Sequence, residues 1–198
     1  MPGRVYMELL EAATSQYGHV TADDARGAGV DPAQLRIMHH RGLLERVARG
    51  VYRFPILPAT ALDQYMEAVL WPRTKAALSH ETALDLHGLC DVNPARIHVT
   101  VPAGYRLRRD APRIYQLHRR GLDAGDVTLH EGIPIVTPYR AIRDAIEANL
   151  GGHLIDQAIS TAQRRGLIAP AELRLLKRAR PGRRPGPRPR PETIAAHR

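Results

Sequence analysis

The chain has 198 residues, a formal net charge of +9 and a single cysteine, Cys90. This length accommodates one large or two small domains, and a single cysteine excludes both an intramolecular disulfide and a zinc cluster built on cysteines. No apolar run approaches the ~18 residues that a membrane span requires. The N-terminus also lacks the apolar core of a signal peptide. We therefore expect a cytoplasmic protein.

The positive charge is concentrated at the C-terminal end. Residues 177–198 contain eight lysines or arginines and one acidic residue, so they carry +7 of the net charge. From residue 180 onward Pro and Arg dominate, and such a segment cannot bury apolar area, which predicts a disordered basic tail. The tail is either a solvated end or a polybasic arm that attracts phosphates without reading sequence.

The first quarter of the chain predicts three helices and a hairpin. Thr21 and Asp31 stand where the second and third helices need N-caps, and Pro32 follows at a first helical position. Gly50 separates two β-prone runs, as in a tight hairpin turn. This order is typical of a winged helix-turn-helix. The predicted elements are helices over 5–17, 22–28 and 31–41, a short extended piece at 20–21, and strands over 43–47 and 51–54.

The third helix has the pattern of a DNA-recognition helix. Leu35 and Met38 fall on one face and should pack inward, so the other side chains should point outward. Gln pairs bidentately with adenine and Arg with guanine in the major groove, which makes Gln34 and Arg36 the leading base readers. The alternative is a winged domain that binds protein and leaves this face solvated. The predicted DNA-binding residues are Gln34, Arg36, Ile37, His40 and Arg41 on the helix, and Arg46, Arg49 and Arg53 on or beside the wing.

Pro55 and Pro58 mark a linker, after which helical and period-two patterns alternate. We predict an α+β protein with a winged helix-turn-helix over residues 1–58, a mixed α/β C-terminal domain over 59–179, and the tail over 180–198. The predicted C-terminal elements are helices over 62–71, 79–88, 137–149, 153–165 and 170–179, and strands over 97–101, 114–118, 127–130 and 133–136.

The sequence gives little support for a metal site or for enzyme activity. His80 and His87 are two helical turns apart, but a metal site needs a third ligand, so we expect hydrogen bonds from these rings to backbone instead. A metal-dependent nuclease needs clustered carboxylates, commonly with a lysine. Lys75 is the only lysine before the tail, and the acidic residues of the middle region are scattered singly. We therefore expect no enzyme activity, no cofactor and no metal site.

Three segments resemble a known family. They are GHVTADDARGAGVDPAQL over 18–35, RGLLERVARGVY over 41–52 and LSHETALDLHGL over 78–89. With the later strands and the Thr-Pro start of a helix at residue 137, they resemble the AbiEi-type antitoxins of type IV toxin–antitoxin systems. The resemblance covers about residues 5–175 and does not include the Arg/Pro tail.

The resemblance implies a transcriptional repressor that binds inverted repeats upstream of its own operon. It further implies that the C-terminal domain counteracts a partner toxin of the nucleotidyltransferase class. Such a protein is expected to be a monomer or weak dimer, with cooperative DNA binding left open. The alternatives are a nuclease that carries a winged domain and an interaction adaptor that never binds DNA.

Overall fold

The computed structural model describes residues 3–107 and 110–180. Within these ranges the chain forms eight α-helices and two β-sheets, which confirms the predicted α+β class. The predicted tail falls outside the described residues from position 181 onward. No helix among the described residues is long and apolar enough to cross a membrane.

The N-terminal part is a winged helix. Its three strands form an antiparallel sheet in the order β1-β3-β2. The first helix ends three residues earlier than predicted, because Tyr17 and Gly18 adopt left-handed backbone conformations that close it. The elements are α1 (Arg4–Thr14), β1 (His19–Thr21), α2 (Ala22–Gly27), α3 (Ala33–His40), β2 (Glu45–Ala48) and β3 (Val51–Arg53).

Local hydrogen bonds and a small apolar core fix this arrangement. The Thr21 side chain accepts from the Asp24 backbone N–H, and the Asp24 carboxylate accepts from the Thr21 backbone N–H, a reciprocal cap for α2. Leu9, Leu35 and Phe54 are fully buried in one cluster that joins α1, α3 and the segment after β3. Helix α3 is thereby packed against α1 and the segment that follows β3.

The C-terminal part is a five-stranded mixed sheet with helices packed against it. The sheet order is β6-β5-β4-β8-β7, in which β5 pairs with β6 and β4 with β8 in parallel. The central strand β4 has only two residues and was not predicted from the sequence. The elements are α4 (Asp63–Leu70), β4 (Ala77–Leu78), α5 (His80–Leu86), β5 (Ile97–Val101), β6 (Tyr115–Arg119), β7 (Val127–His130), β8 (Ile133–Val136), α6 (Pro138–Glu147), α7 (Gly152–Arg164) and α8 (Pro170–Ala179).

A buried ion pair lies within the helical layer of this domain. Arg140 on α6 is 3% exposed and donates from Nε to the Asp144 carboxylate at 2.9 Å. Its other nitrogens donate to the Asp126 carboxylate and, at 3.1 Å, to the Gly121 carbonyl oxygen. Asp144 is fully buried, so the guanidinium supplies the charge compensation that this carboxylate needs.

The two parts have separate hydrophobic clusters but contact each other directly. The Tyr17 hydroxyl donates to the Glu131 carbonyl oxygen at 2.6 Å. Arg53, at the end of β3, forms an ion pair with Asp63 at 3.0 Å. The division of the chain at residue 58 stays a prediction, and these contacts show that the winged helix packs on the second part.

Candidate DNA-binding surface

Helix α3 presents a polar face to solvent. Leu35 and Met38 are buried in the winged-helix core, at 0% and 6% exposure. The five side chains that the sequence assigned to the opposite face are all exposed: Gln34, Arg36, Ile37, His40 and Arg41.

Two hydrogen bonds hold the ends of α3. At its start the Asp31 carboxylate accepts from the Ala33 backbone N–H at 2.8 Å, which satisfies one of the free donors of the first turn. At its end the His39 ring donates from Nδ1 to the Leu44 carbonyl oxygen at 2.9 Å. The helix is thus fixed both to the preceding turn and to the strand that follows it.

The wing is a tight hairpin whose tip carries arginine. Arg49 and Gly50 connect β2 to β3, and Gly50 takes a φ of +76°, a conformation that glycine adopts without strain. Arg46 and Arg49 are exposed. The wing therefore offers two guanidinium groups beside the start of α3.

A cleft of about 540 Å³ separates α3 from the wing. Three of the residues that line it, Arg36, Arg46 and Arg49, were among the DNA-binding residues predicted from the sequence. Arg26 on α2 and Arg73, which follows α4, also line it, and neither was singled out from the sequence. The lining includes one carboxylate, Asp31.

Arg73 reaches the cleft from the second part of the chain. Its side chain lies against Gly50, where an added Cβ atom would be 3.2 Å from the Arg73 Nε. Arg73 has a left-handed φ of 55°, which is uncommon for a residue with a side chain. Sequence reasoning confined to the first 54 residues could not have found this arginine.

Most of these cations have no acidic partner. Within the described ranges, Arg36, Arg46, Arg49 and Arg73 form no ion pair, whereas Arg26 pairs with Asp23. Four uncompensated guanidinium groups around one cleft create a positive potential that attracts a polyanion.

Arg53 differs from the other predicted DNA-binding residues. Its side chain is only 12% exposed, it pairs with Asp63, and its Nη2 donates to the Leu57 carbonyl oxygen at 2.9 Å. These contacts fix the connection between the winged helix and α4. We therefore leave Arg53 out of the proposed contact set.

Four histidines of the second part lie in two different environments. His87 donates from Nε2 to the Val136 carbonyl oxygen at 2.8 Å, the kind of backbone hydrogen bond expected from the sequence. His80 instead lies with His98 and His118. Across residues 3–107 and 110–180, those three histidines are the one group of His, Cys, Asp or Glu close enough to share a metal ion. The carboxylate cluster of a metal-dependent nuclease is thus not found in the described ranges.

These features define a winged-helix protein with a cationic surface between α3 and the wing. Residues 7–55 match the family model described as transcriptional regulator, AbiEi antitoxin. The match confirms, for the winged helix, the resemblance to AbiEi-type antitoxins. That family is regulatory rather than enzymatic.

The whole fold is also similar to a solved structure. The crystal structure of the RV2827C protein from Mycobacterium tuberculosis superposes with a TM-score of 0.50 at 18% sequence identity. The superposition covers 91% of this chain and 73% of the RV2827C chain. At 18% identity the similarity is evidence for a shared fold alone. No curated protein matches the chain.

Proposed function

We propose that the chain is a DNA-binding autorepressor and the antitoxin of a type IV toxin–antitoxin system. The observation that carries the DNA-binding role is the set of unpaired arginines around the cleft between α3 and the wing. Such groups lower the free energy of binding to phosphates by releasing condensed counterions. The match of residues 7–55 to a family of transcriptional regulators supports the same role. A protein that represses its own operon acts in the cytoplasm.

In this proposal α3 lies in the major groove of an operator. Gln34 and Arg36, in the first half of the helix, contact base edges, with Ile37, His40 and Arg41 along the same face. Arg46, Arg49 and Arg73 contact phosphates. An inverted repeat requires two winged helices, which a weak dimer or two monomers on adjacent half-sites supply.

Binding to the upstream region of its own operon tests the proposal. Arg36→Ala should weaken operator binding about 5- to 150-fold, corresponding to the ~1–3 kcal/mol of one base contact. It should also relax specificity at one base pair. Fluorescence anisotropy with labelled operator and scrambled duplexes measures both effects. Arg174→Ala on α8 is the matched control, because Arg174 is also exposed and forms no ion pair within the described ranges.

Two outcomes would contradict DNA binding by this surface. The wild-type chain would show no preference for its operator over the scrambled duplex, or Arg36→Ala would bind both duplexes like Arg174→Ala. Either result would favour the interaction adaptor that never binds DNA.

We further propose that the C-terminal domain counteracts a nucleotidyltransferase-like toxin. The antitoxin description of the matching family and the separate hydrophobic cluster of this domain support a division of labour. An Arg36→Ala/Arg49→Ala double variant should lose repression yet still protect cells that express the neighbouring toxin gene. Reporter and growth assays on the same strains separate the two activities. Loss of protection at wild-type protein abundance would contradict the proposed division.

A further inference from the structure

Three histidines from three separate elements meet on one face of the larger sheet. His80 is the first residue of α5, His98 lies in β5 and His118 lies in β6. Each offers one ring nitrogen, and these three nitrogens all lie within 4.8 Å of one another. His118 Nε2 is 3.2 Å from His98 Nδ1, and the His80 and His118 rings stack with centroids 3.5 Å apart.

The sheet register explains how the two strand histidines come together. β5 and β6 are parallel, with Thr100 opposite His118 and His98 opposite Gln116. Because alternate residues share a face, His98 and His118 point to the same side of the sheet. The cluster is therefore set by strand pairing.

Two hydrogen bonds attach the start of α5 to β5. The Ser79 N–H donates to the His98 carbonyl oxygen at 2.9 Å, and the His98 N–H donates to the Thr82 hydroxyl at 2.9 Å. His80 itself takes a left-handed φ of 51°, a strained conformation that surrounding contacts must maintain. These contacts bring the His80 ring onto the His118 ring.

The spacing is close to that of a metal site. Zn–N bonds of about 2.0–2.1 Å in tetrahedral geometry place ligand nitrogens roughly 3.3 Å apart. The His98–His118 pair is already at this separation. The other nitrogens lie within 4.8 Å of one another, so no pair has to close by more than about 1.5 Å. The stacked His80 and His118 rings must also tilt apart, so that the in-plane lone pairs of both rings point at one ion.

The protonation state of the cluster also suits a metal. Burial, and then the neighbouring histidines, lower the pKa of His80 to about 2 and that of His118 to about 4. Burial lowers the pKa of His98 as well. Neutral imidazole is the form that binds metal, and each ring binds through the nitrogen that carries no proton.

Two arginines near the cluster oppose a bound cation, but both are neutralised. Arg140 pairs with Asp126 and Asp144, and Arg120 pairs with Asp144 and Glu147. The hydroxyl of Thr100, next to His118 in the sheet register, is buried and has no hydrogen-bond partner within the described ranges. This oxygen is available to accept from a metal-bound water.

We propose that His80, His98 and His118 bind one divalent transition-metal ion, with Zn²⁺ the best fit. Three nitrogen ligands without a carboxylate disfavour Mg²⁺ and Ca²⁺, which require oxygen ligands. Three ligands leave a fourth position for water. The ion would connect β5, β6 and the start of α5, and would stabilise the C-terminal domain by binding only its folded form. His98 and His118 are partly exposed, which gives the ion a path of entry.

Metal titration of the untagged full chain tests this site. After dialysis against EDTA, the protein is titrated with Zn²⁺ in competition with a chromophoric chelator, and the melting temperature is measured with and without Zn²⁺. We expect one equivalent to bind and to raise the melting temperature. His118→Gln should weaken binding at least about tenfold, since even second-shell changes cost 10- to 100-fold. His153→Gln, at an exposed histidine on α7, should behave like wild type.

A second measurement needs no variant. Co²⁺ bound by the wild-type chain should give the intense visible absorption of a four-coordinate site, and should shift the ring resonances of His80, His98 and His118 ahead of those of the other histidines. The proposal is overturned if the wild-type chain binds no stoichiometric Zn²⁺. It is equally overturned if His118→Gln and His153→Gln have the same affinity, or if Co²⁺ perturbs other histidines first.

Discussion

Arg73 provides a sharp test of the proposed DNA-binding surface, because it comes from outside the winged helix. If Arg46, Arg49 and Arg73 each neutralise one phosphate, the three together add about −2.7 per chain to the slope of log affinity against log salt, at −0.9 per phosphate. Arg73→Gln removes one charge while keeping a long side chain over Gly50. The slope should therefore become shallower by about 0.9.

This change in slope has a measurable consequence. Between about 50 and 200 mM salt, 0.9 in slope corresponds to roughly a 3.5-fold change in the ratio of wild-type to variant affinity. The loss should be the same on operator and scrambled duplexes, because phosphate contacts carry no sequence information. Anisotropy titrations at four or five salt concentrations resolve this difference.

Two further variants make the test decisive. Arg49→Gln, at the tip of the wing, should make the salt slope shallower by the same amount, and Arg174→Gln on α8 should leave the slope unchanged. A wild-type slope for Arg73→Gln beside a reduced slope for Arg49→Gln would remove Arg73 from the interface. Wild-type slopes for both would refute the reasoning that the unpaired arginines of this cleft contact phosphate.

Three further predictions concern stability and the tail. Arg140→Met removes the cation that donates to the buried Asp144 carboxylate at 2.9 Å and leaves Arg120, 3.8 Å away, as its remaining ion-pair partner within the described ranges, so the free energy of unfolding should fall by up to about 3–5 kcal/mol. In urea denaturation, adding Asp144→Asn should restore part of this loss, and a cost below about 1 kcal/mol would count against a buried pair. Burial lowers the pKa of His87 below 6.5, so the unfolded chain binds a proton that the folded chain does not. The free energy of unfolding should therefore fall as the pH drops below about 6.5, by at most about 1.4 kcal/mol per pH unit. His87→Gln, measured in EDTA, should flatten this pH dependence, and an unchanged curve would contradict the prediction. Truncation after Ala179 removes six arginines and one glutamate and should reduce the salt dependence of DNA binding with little effect on specificity; an unchanged slope would mean that the tail does not contact DNA.

Local rules were sufficient for most of the fold. Thr21 caps α2 as its side chain predicts, and Gly50 closes the hairpin. The predicted N-cap Asp31 lies one residue too early: the N-cap of α3 is Pro32, and the Asp31 carboxylate, just outside the helix, accepts from the Ala33 N–H. The strand β4 was missed because two residues show no periodicity. Its place at the centre of the sheet follows from pairing with β5 and β8, which a linear pattern does not encode.

The candidate sites were less accessible to sequence reasoning, because they depend on contacts between distant residues. Arg53 looks like Arg46 and Arg49 in the sequence, and its burial and its contacts with Asp63 and Leu57 distinguish it. The histidine cluster combines residues from α5, β5 and β6. The spacing of His80 and His87 pointed to a different pair, since no local pattern predicts which strands become neighbours.

The arrangement of charge also explains why the composition does not reveal the cationic surface beside α3. Residues 1–176 carry a net charge of only +2, a value that averages two unlike regions. In the C-terminal domain, Arg120 and Arg140 are neutralised by neighbouring carboxylates. At the cleft between α3 and the wing, four of the five lining arginines form no ion pair with any described residue, and a concave surface focuses their field. The potential that a phosphate meets there depends on this local imbalance, which the net charge of the chain does not report.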